Sequence, residues 1–244
     1  MSGKTIIVTA GYGHHHTAWA CHLVDHVNRL ADGVAGAVNA IRAVNLTSKI
    51  SADELSYPPM AKLYVWRAVP ADVMRIIWLD TDVYVRRAIL EDDLPWNPFS
   101  AVQDPWVRNG AGVVHTDRDM IRGLPRYFNS GFYCATRDAV PAFDLAIAEQ
   151  DHRFAANRNW THEQDLFNWA VWKEFAGCSP TSPGWTEAGE RWNMLPKKRV
   201  DTAIDPVVVH MALCGERDKV RFLRDLYAGK EPVEILPWVI PITR

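Results

Sequence analysis

The chain has 244 residues, 48% of them hydrophobic and 23% charged, enough to bury one sizeable core, and it reads as a single domain over residues 1–244. Lys plus Arg (27) nearly balance Asp plus Glu (29), and a net charge of −2 excludes a global electrostatic case for nucleic acid or an anionic membrane. No apolar run approaches the roughly 18 residues of a membrane span, and Met1-Ser2-Gly3-Lys4-Thr5-Ile6 lacks the long apolar region of a signal peptide, so a soluble, cytoplasmic protein is expected.

Ile6-Ile7-Val8 reads as a buried strand, followed by a helix from Thr17 to Leu30 with Ala20, Leu23, Val24, Val27 and Leu30 at helical spacing. Ala35 to Ile41 reads as a second strand and Met60 to Ala68 as a short helix after Pro58-Pro59. Ile76-Ile77-Trp78-Leu79 is a strand covered on both faces. Phe99 to Val102 and Tyr127 to Ala135 are further strands, Asp138 to Asn157 and His162 to Phe175 helices, Val207 to Val209 a last strand and Lys219 to Tyr227 a last helix. Strands interleaved with helices predict an α/β fold, a mostly parallel mixed sheet with helices on both faces. Cys21, Cys134, Cys178 and Cys214 are far apart and form no Cys-x-x-Cys pair, which leaves neither a zinc site nor a disulfide framework.

The central strand runs directly into Asp80-Thr81-Asp82. Ligands of such sheets bind beyond the carboxyl ends of the strands, and two hard oxygen donors there suit Mg²⁺ or Mn²⁺. An Asp-rich turn is the bland alternative. Further along come Tyr127-Phe128-Asn129-Ser130-Gly131-Phe132, His162-Glu163-Gln164-Asp165, Trp192-Asn193, and His210 with Gly215 and Lys219.

In that order these segments resemble family 8 glycosyltransferases, the group of glycogenin and bacterial lipooligosaccharide galactosyltransferases, over roughly residues 4–220. The resemblance implies a GT-A nucleotide-diphospho-sugar transferase fold. It also implies an enzyme that takes a UDP-sugar as donor, uses Mn²⁺ or Mg²⁺, and moves a hexose to a hydroxyl with retention of configuration. Asp80, Asp82 and His210 would ligate the metal. Lys219 matches a lysine that contacts the donor phosphates, and Lys62 stands where relatives carry an arginine near the sugar, keeping the charge without the planar fork. Thr81 belongs to the donor-binding turn, Asn129 to the strand that approaches the sugar, and Gly131 permits close backbone approach. Glu163, Gln164 and Asp165 align with a segment facing the reacting carbon, where front-face attack with one of them stabilising the sugar cation is the expected mechanism and double displacement through a carboxylate the runner-up.

The chain departs from the family pattern at Thr9-Ala10-Gly11-Tyr12-Gly13, where relatives place a carboxylate or asparagine; Tyr12 can stack on a pyrimidine, and Thr9 or the backbone at Ala10 can hydrogen-bond to it. Gly215 and Lys219 also fall later after His210 than in relatives. Structural readings stand beside the chemical ones. Thr161 and Gln164 fit a capping box, Asp165 favours a helix dipole, Asn129 can satisfy buried backbone groups, and His210 after three valines fits a core histidine. His14, His15 and His16 read as a polar loop at the ligand edge, where one of them can contact donor phosphate or base, with His22, His26 and Arg29 as a solvated helix face. Trp160, Trp169, Trp172, Trp185 and Trp192 read mostly as core, with one or two available as an acceptor platform. Lys197-Lys198-Arg199 and Arg217, Lys219, Arg221 and Arg224 bias the C-terminal part positive. The acceptor is expected to be a carbohydrate or small molecule, and a hydroxymethylated base in phage-type DNA stays open. A non-catalytic nucleotide-sugar binder and a metal-dependent phosphohydrolase are the competing classes.

Overall fold

The computed structural model describes residues 3–34, 39–55, 58–104, 118–121, 123–155, 162–176, 184–193, 206–211 and 216–228. In chain order the elements are β1 (Lys4–Thr9), α1 (His14–Asp32), β2 (Ala43–Asn45), α2 (Val65–Ala68), β3 (Val73–Leu79), β4 (Val83–Val85), β5 (Phe99–Gln103), α3 (Arg118–Ile121), β6 (Phe128–Thr136), α4 (Val140–Ala155), α5 (Glu163–Phe175), β7 (Thr186–Glu187), β8 (Val208–His210) and α6 (Glu216–Tyr227).

The main sheet has the order β2-β1-β3-β6-β5-β7. Its β2-β1, β1-β3 and β5-β7 pairings are parallel, and β6 runs antiparallel between β3 and β5. Period-two alternation divides each central strand between two cores. Ile6, Val8, Ile76, Trp78 and Tyr133 face the side covered by Phe143 of α4 and Phe167 of α5. Ile7, Ile77, Leu79, Phe132 and Cys134 face the side closed by Leu23 and Val27 of α1 and by Trp192. Burial on both sides is why these strands read as unbroken apolar runs.

A second, two-stranded sheet pairs β4 with β8 antiparallel, with Val83 opposite His210. It packs Val83, Val85 and Val208 into the α1-side core, while Val209 meets Trp19, Phe222 and Leu223 beneath α6.

Several elements differ from expectation. The second strand forms at Ala43–Asn45, because the alternation of buried Ile41 and Ala43 with exposed Arg42 and Val44 suits a sheet edge, whereas residues 35–38 lie outside the described residues. The helix expected over Met60 to Ala68 is split into a 3₁₀ segment, Pro58–Leu63, and the single turn α2. The tighter segment buries Met60, Ala61, Lys62 and Leu63 in succession, which one face of an α-helix cannot do. Helix α1 begins three residues early, after Gly13 at φ 83°, so His14 to His16 form its first turn rather than a loop. Its histidine face is covered in part: His22 stacks on Tyr227, and His26 stacks on Tyr84 and bonds the Val85 carbonyl at 2.7 Å. Of the crowded tryptophans, Trp185 and Trp192 are buried and Trp169 and Trp172 pack partly buried against the core, while Trp160 lies outside the described residues.

Candidate active site

The parallel strands β1 and β3 end at one edge of the sheet, and β6 enters there, with the Asp80 amide donating to the Gly131 carbonyl at 3.0 Å. After Leu79 the chain turns through Asp80, Thr81 and Asp82 into β4, and pairing with β8 brings His210 beside that turn. A further backbone bond from the Met211 amide to the Asp82 carbonyl, 2.9 Å, fixes the register.

Asp80, Asp82 and His210 each offer a donor atom within 4.8 Å of the others. His210 Nε2 lies 3.3 Å from Asp82 Oδ1 and 3.9 Å from Asp80 Oδ2. Ligands about 2.1 Å from an octahedral cation stand about 3.0 Å apart when adjacent and about 4.2 Å apart when opposite, and the two separations from His210 fall within that range. The set of two carboxylate oxygens and one imidazole is one that could hold a divalent cation.

The remaining carboxylate oxygens are held from behind. Asp80 Oδ1 accepts from the Trp78 indole at 2.6 Å and pairs with Lys62 Nζ at 3.0 Å, and Lys62 Nζ also reaches Asp80 Oδ2 at 3.2 Å; Asp82 Oδ2 pairs with Lys219 Nζ at 2.6 Å. Alternation along β3 puts Trp78 and Asp80 on one face, which explains the first contact. Burial opposes ionisation of Asp82, but the adjacent His210 and Lys219 outweigh it and hold the carboxyl far below the ordinary range.

Lys62, 2% exposed, also reaches Glu163 at 3.3 Å and the Ser130 hydroxyl at 3.0 Å. Burial disfavours its charge, yet Asp80 and Glu163 overcome that and raise its pKa. Two lysines thus face three carboxylates, a centre with one net negative charge before any dication or diphosphate enters.

A cleft of about 390 Å³ opens over this centre, lined among others by Gly11, Tyr12, His16, Lys62, Asp80 and Glu163, a volume that suits a small-molecule ligand. Ala10, Thr81 and Asp82 also line it, whereas Thr9 is buried one residue behind. Tyr12 is fixed by a bond from its hydroxyl to the Ile50 carbonyl at 2.8 Å, leaving its ring on the wall.

The other expected residues form a buried polar layer beneath the centre rather than its lining. Gln164 accepts from the Ser130 amide at 2.9 Å and donates to Asp104 at 3.2 Å. It makes no capping box: the α5 cap is His162, which accepts from the Gln164 amide at 3.3 Å, and Thr161 lies outside the described residues. Asp165 is fully buried and accepts from the Tyr127 hydroxyl. Asn129 accepts from the Gly131 amide at 3.0 Å and donates to Asp104 at 3.3 Å. At Gly131 the close approach is by His210 itself, since a Cβ there would lie 2.0 Å from the ring's Cε1.

His16, one of the three histidines expected at the ligand edge, has Nδ1 2.8 Å from the Thr81 hydroxyl, and Asn193, from the Trp192-Asn193 segment, lies against His210, whereas Asp104 has no place among the expected site residues. Asp104 carries the signal that marked Asp80, an acid directly after a buried strand. Asn193 is marked only by its place in the Trp192-Asn193 segment, with no role attached. Lys197, Lys198, Arg199 and Gly215 lie outside the described residues.

A mixed α/β sheet of this strand order, with an Asp-x-Asp turn at its strand ends, is a GT-A fold. The comparisons agree: the chain has the GT-A fold of family-8-like glycosyltransferases. The galactosyltransferase LgtC, solved with donor and acceptor sugar analogues, is similar with TM-score 0.55 and 16% identity over 98% of each chain. A glycosyltransferase involved in glycosylation of the major capsid of PBCV-1 gives TM-score 0.57 and 13% identity, over 90% of this chain and 98% of that one. The bifunctional glycosyltransferase WbbM in its apo form gives TM-score 0.61 and 14% identity, over 98% of this chain and 52% of that one. No protein-family model and no curated protein sequence matches.

Proposed function

We propose that this protein is a metal-dependent, retaining glycosyltransferase that moves a hexose from a UDP-sugar to the hydroxyl of a carbohydrate or small molecule, with residues 1–244 acting as one domain. The observation that carries the reading is the Asp80–Asp82–His210 triad, two of whose members line a cleft that Tyr12 also lines. The likeness to solved glycosyltransferases supports it.

Asp80, Asp82 and His210 would hold Mn²⁺ or Mg²⁺, which would neutralise charge on the departing diphosphate. Tyr12 stacks on the base, the Ala10 backbone borders it, and His16 extends the donor wall beside Thr81. Lys219 adds positive charge next to Asp82, where the diphosphate lies. Of Glu163, Gln164 and Asp165, Glu163 is the one that lines the cleft, so it faces the sugar and stabilises positive charge there. Gln164, Asp165 and Asn129 act through their hydrogen bonds, not by contact with the reacting carbon. In the transfer, the bond between the anomeric carbon and the diphosphate oxygen breaks. The acceptor oxygen bonds that carbon from the same face, and the acceptor proton passes to the departing oxygen. Because Glu163 is buried and tied to Lys62, it is a poor nucleophile, which favours this route over double displacement.

The test is a thermal-shift panel of nucleotide sugars with and without Mn²⁺, repeated with Asp82→Ala, alongside detection of released UDP. Metal-dependent stabilisation by a UDP-sugar that Asp82→Ala abolishes is expected, with UDP release when an acceptor is supplied. Absence of any nucleotide response, or phosphate release from simple phosphoesters instead, would overturn the reading.

A further inference from the structure

Beneath the triad runs a chain of buried amides whose donor and acceptor atoms can be assigned from fixed backbone groups. The Gly131 amide can only donate, and it points at Asn129 Oδ1, 3.0 Å away. Asn129 Oδ1 is therefore an acceptor, and the Asn193 atom 2.9 Å from it must be the Nδ2 amide, a donor. That orientation turns Asn193 Oδ1 toward His210 Nδ1, 2.9 Å away. An amide oxygen cannot donate, so His210 Nδ1 must carry a hydrogen.

The other end of Asn129 is equally determined. Its Nδ2 donates to Asp104 Oδ2 at 3.3 Å, and that same oxygen accepts from Gln164 Nε2 at 3.2 Å. Gln164 in turn is fixed by the Ser130 amide, which donates to its Oε1 at 2.9 Å. Two neighbouring amides of β6 thus orient two side-chain amides, and Asp104 joins them. Every link is buried, with Asn129, Asn193, Gln164 and Asp104 each at most 8% exposed, so water offers little competition for these bonds.

From this circuit we propose that Asn193 is a positioning residue that locks His210 in its Nδ1–H tautomer and thereby presents Nε2 to the cation held with Asp80 and Asp82. The proposal deepens the metal site of the proposed function and rests on it. A neutral imidazole in water favours the hydrogen on Nε2, the nitrogen that here lies nearest both carboxylates. A hydrogen there would block ligation, and the ring's second hydrogen bond decides which tautomer forms. Gly131 serves the same end: without a Cβ it lets the His210 ring lie against β6.

Two measurements test it on the full chain. Histidine-ring ¹⁵N spectra of the metal-free wild type should show a hydrogen on His210 Nδ1, with or without a second on Nε2 toward Asp82; a ring with Nδ1 bare and its hydrogen on Nε2 overturns the proposal without need of a variant. Mn²⁺ titration followed by electron paramagnetic resonance should show Asn193→Leu weakened by roughly 10- to 100-fold, and Asn193→Asp, which still accepts from Nδ1 although it loses the bond to Asn129 Oδ1, weakened less. Equal Mn²⁺ affinity in folded Asn193→Leu overturns it, as does equal loss in both folded variants. Wild type that binds no Mn²⁺ while showing the Nδ1–H tautomer sinks the metal reading of the proposed function instead, so the two failures are distinguishable.

Discussion

Replacing Lys62 with methionine removes a charge from the middle of the buried centre while keeping the length of the side chain. Lys62 is 3% exposed at the side chain and stands 3.0 Å from Asp80 and 3.3 Å from Glu163, whose side chain is 6% exposed. Asp80, a quarter exposed, can recruit water, but Glu163 would stay buried without its cation. Breaking a buried pair in this way typically costs about 3–5 kcal/mol, and for a chain of this size each kcal/mol lowers Tm by about 2–4 °C, so a fall of roughly 6–20 °C is expected. Calorimetric unfolding in metal-free buffer measures it, with Lys62→Arg as a charge-keeping control that should lose less. The pH dependence has a definite sign. The Lys62 pKa is raised above its ordinary 10.5, so its contribution is present below that pH and is lost as pH rises through the folded value, and the gap between wild type and Lys62→Met should narrow in strong alkali. A Tm within about 2 °C of wild type at neutral pH would refute the account of Lys62 as the counter-ion of the centre.

Gly131→Ala places a Cβ against the His210 ring, 2.0 Å from Cε1. It should destabilise the fold by about 1–3 kcal/mol and weaken Mn²⁺ binding in titration; unchanged affinity would mean that the ring does not depend on that approach. At Asp93, burial raises the carboxyl pKa, but the bonds from Arg87 and the Leu90 amide and the charges of Arg87 and Arg191 outweigh it, so the net shift is downward from 3.8. Asp93→Asn should cost about 1 kcal/mol at neutral pH. In urea unfolding, that difference should fade as pH drops below 3.8 through the folded value. Burial pushes the Cys134 thiol up to about 12, whereas Cys21 is exposed. Iodoacetamide at about pH 8 should alkylate Cys21 in the folded protein and spare Cys134 until unfolding, as read by peptide mass spectrometry.

The sequence by itself determined the pieces whose physics is local. Ile76 to Leu79 announced a strand buried on both faces, because solvent is excluded from both sides and every position becomes apolar. Asp80 and Asp82 announced hard oxygen donors at its end. The α1, α4, α5 and α6 helices were legible from apolar spacing, with ends shifted by a few residues where Gly13 or a 3₁₀ turn intervened. The second strand was misplaced because a run of small apolar residues resembles a buried strand in composition, while the true edge strand is marked by alternation at Ile41 to Val44.

Only the tertiary structure decided which residues meet. His210 follows three valines, a pattern that by itself fits a core histidine, and only the family resemblance put it with the two aspartates; antiparallel pairing of β8 with β4 sets it beside Asp82. Gln164 and Asn129 looked like contacts to a substrate, and the fold turns both onto Asp104. Asn193 acquired a role through bonds to residues 17 and 64 positions away. A hydrogen bond has directions as well as partners, and those directions are fixed by backbone groups that belong to other strands. Periodicity carries no record of them.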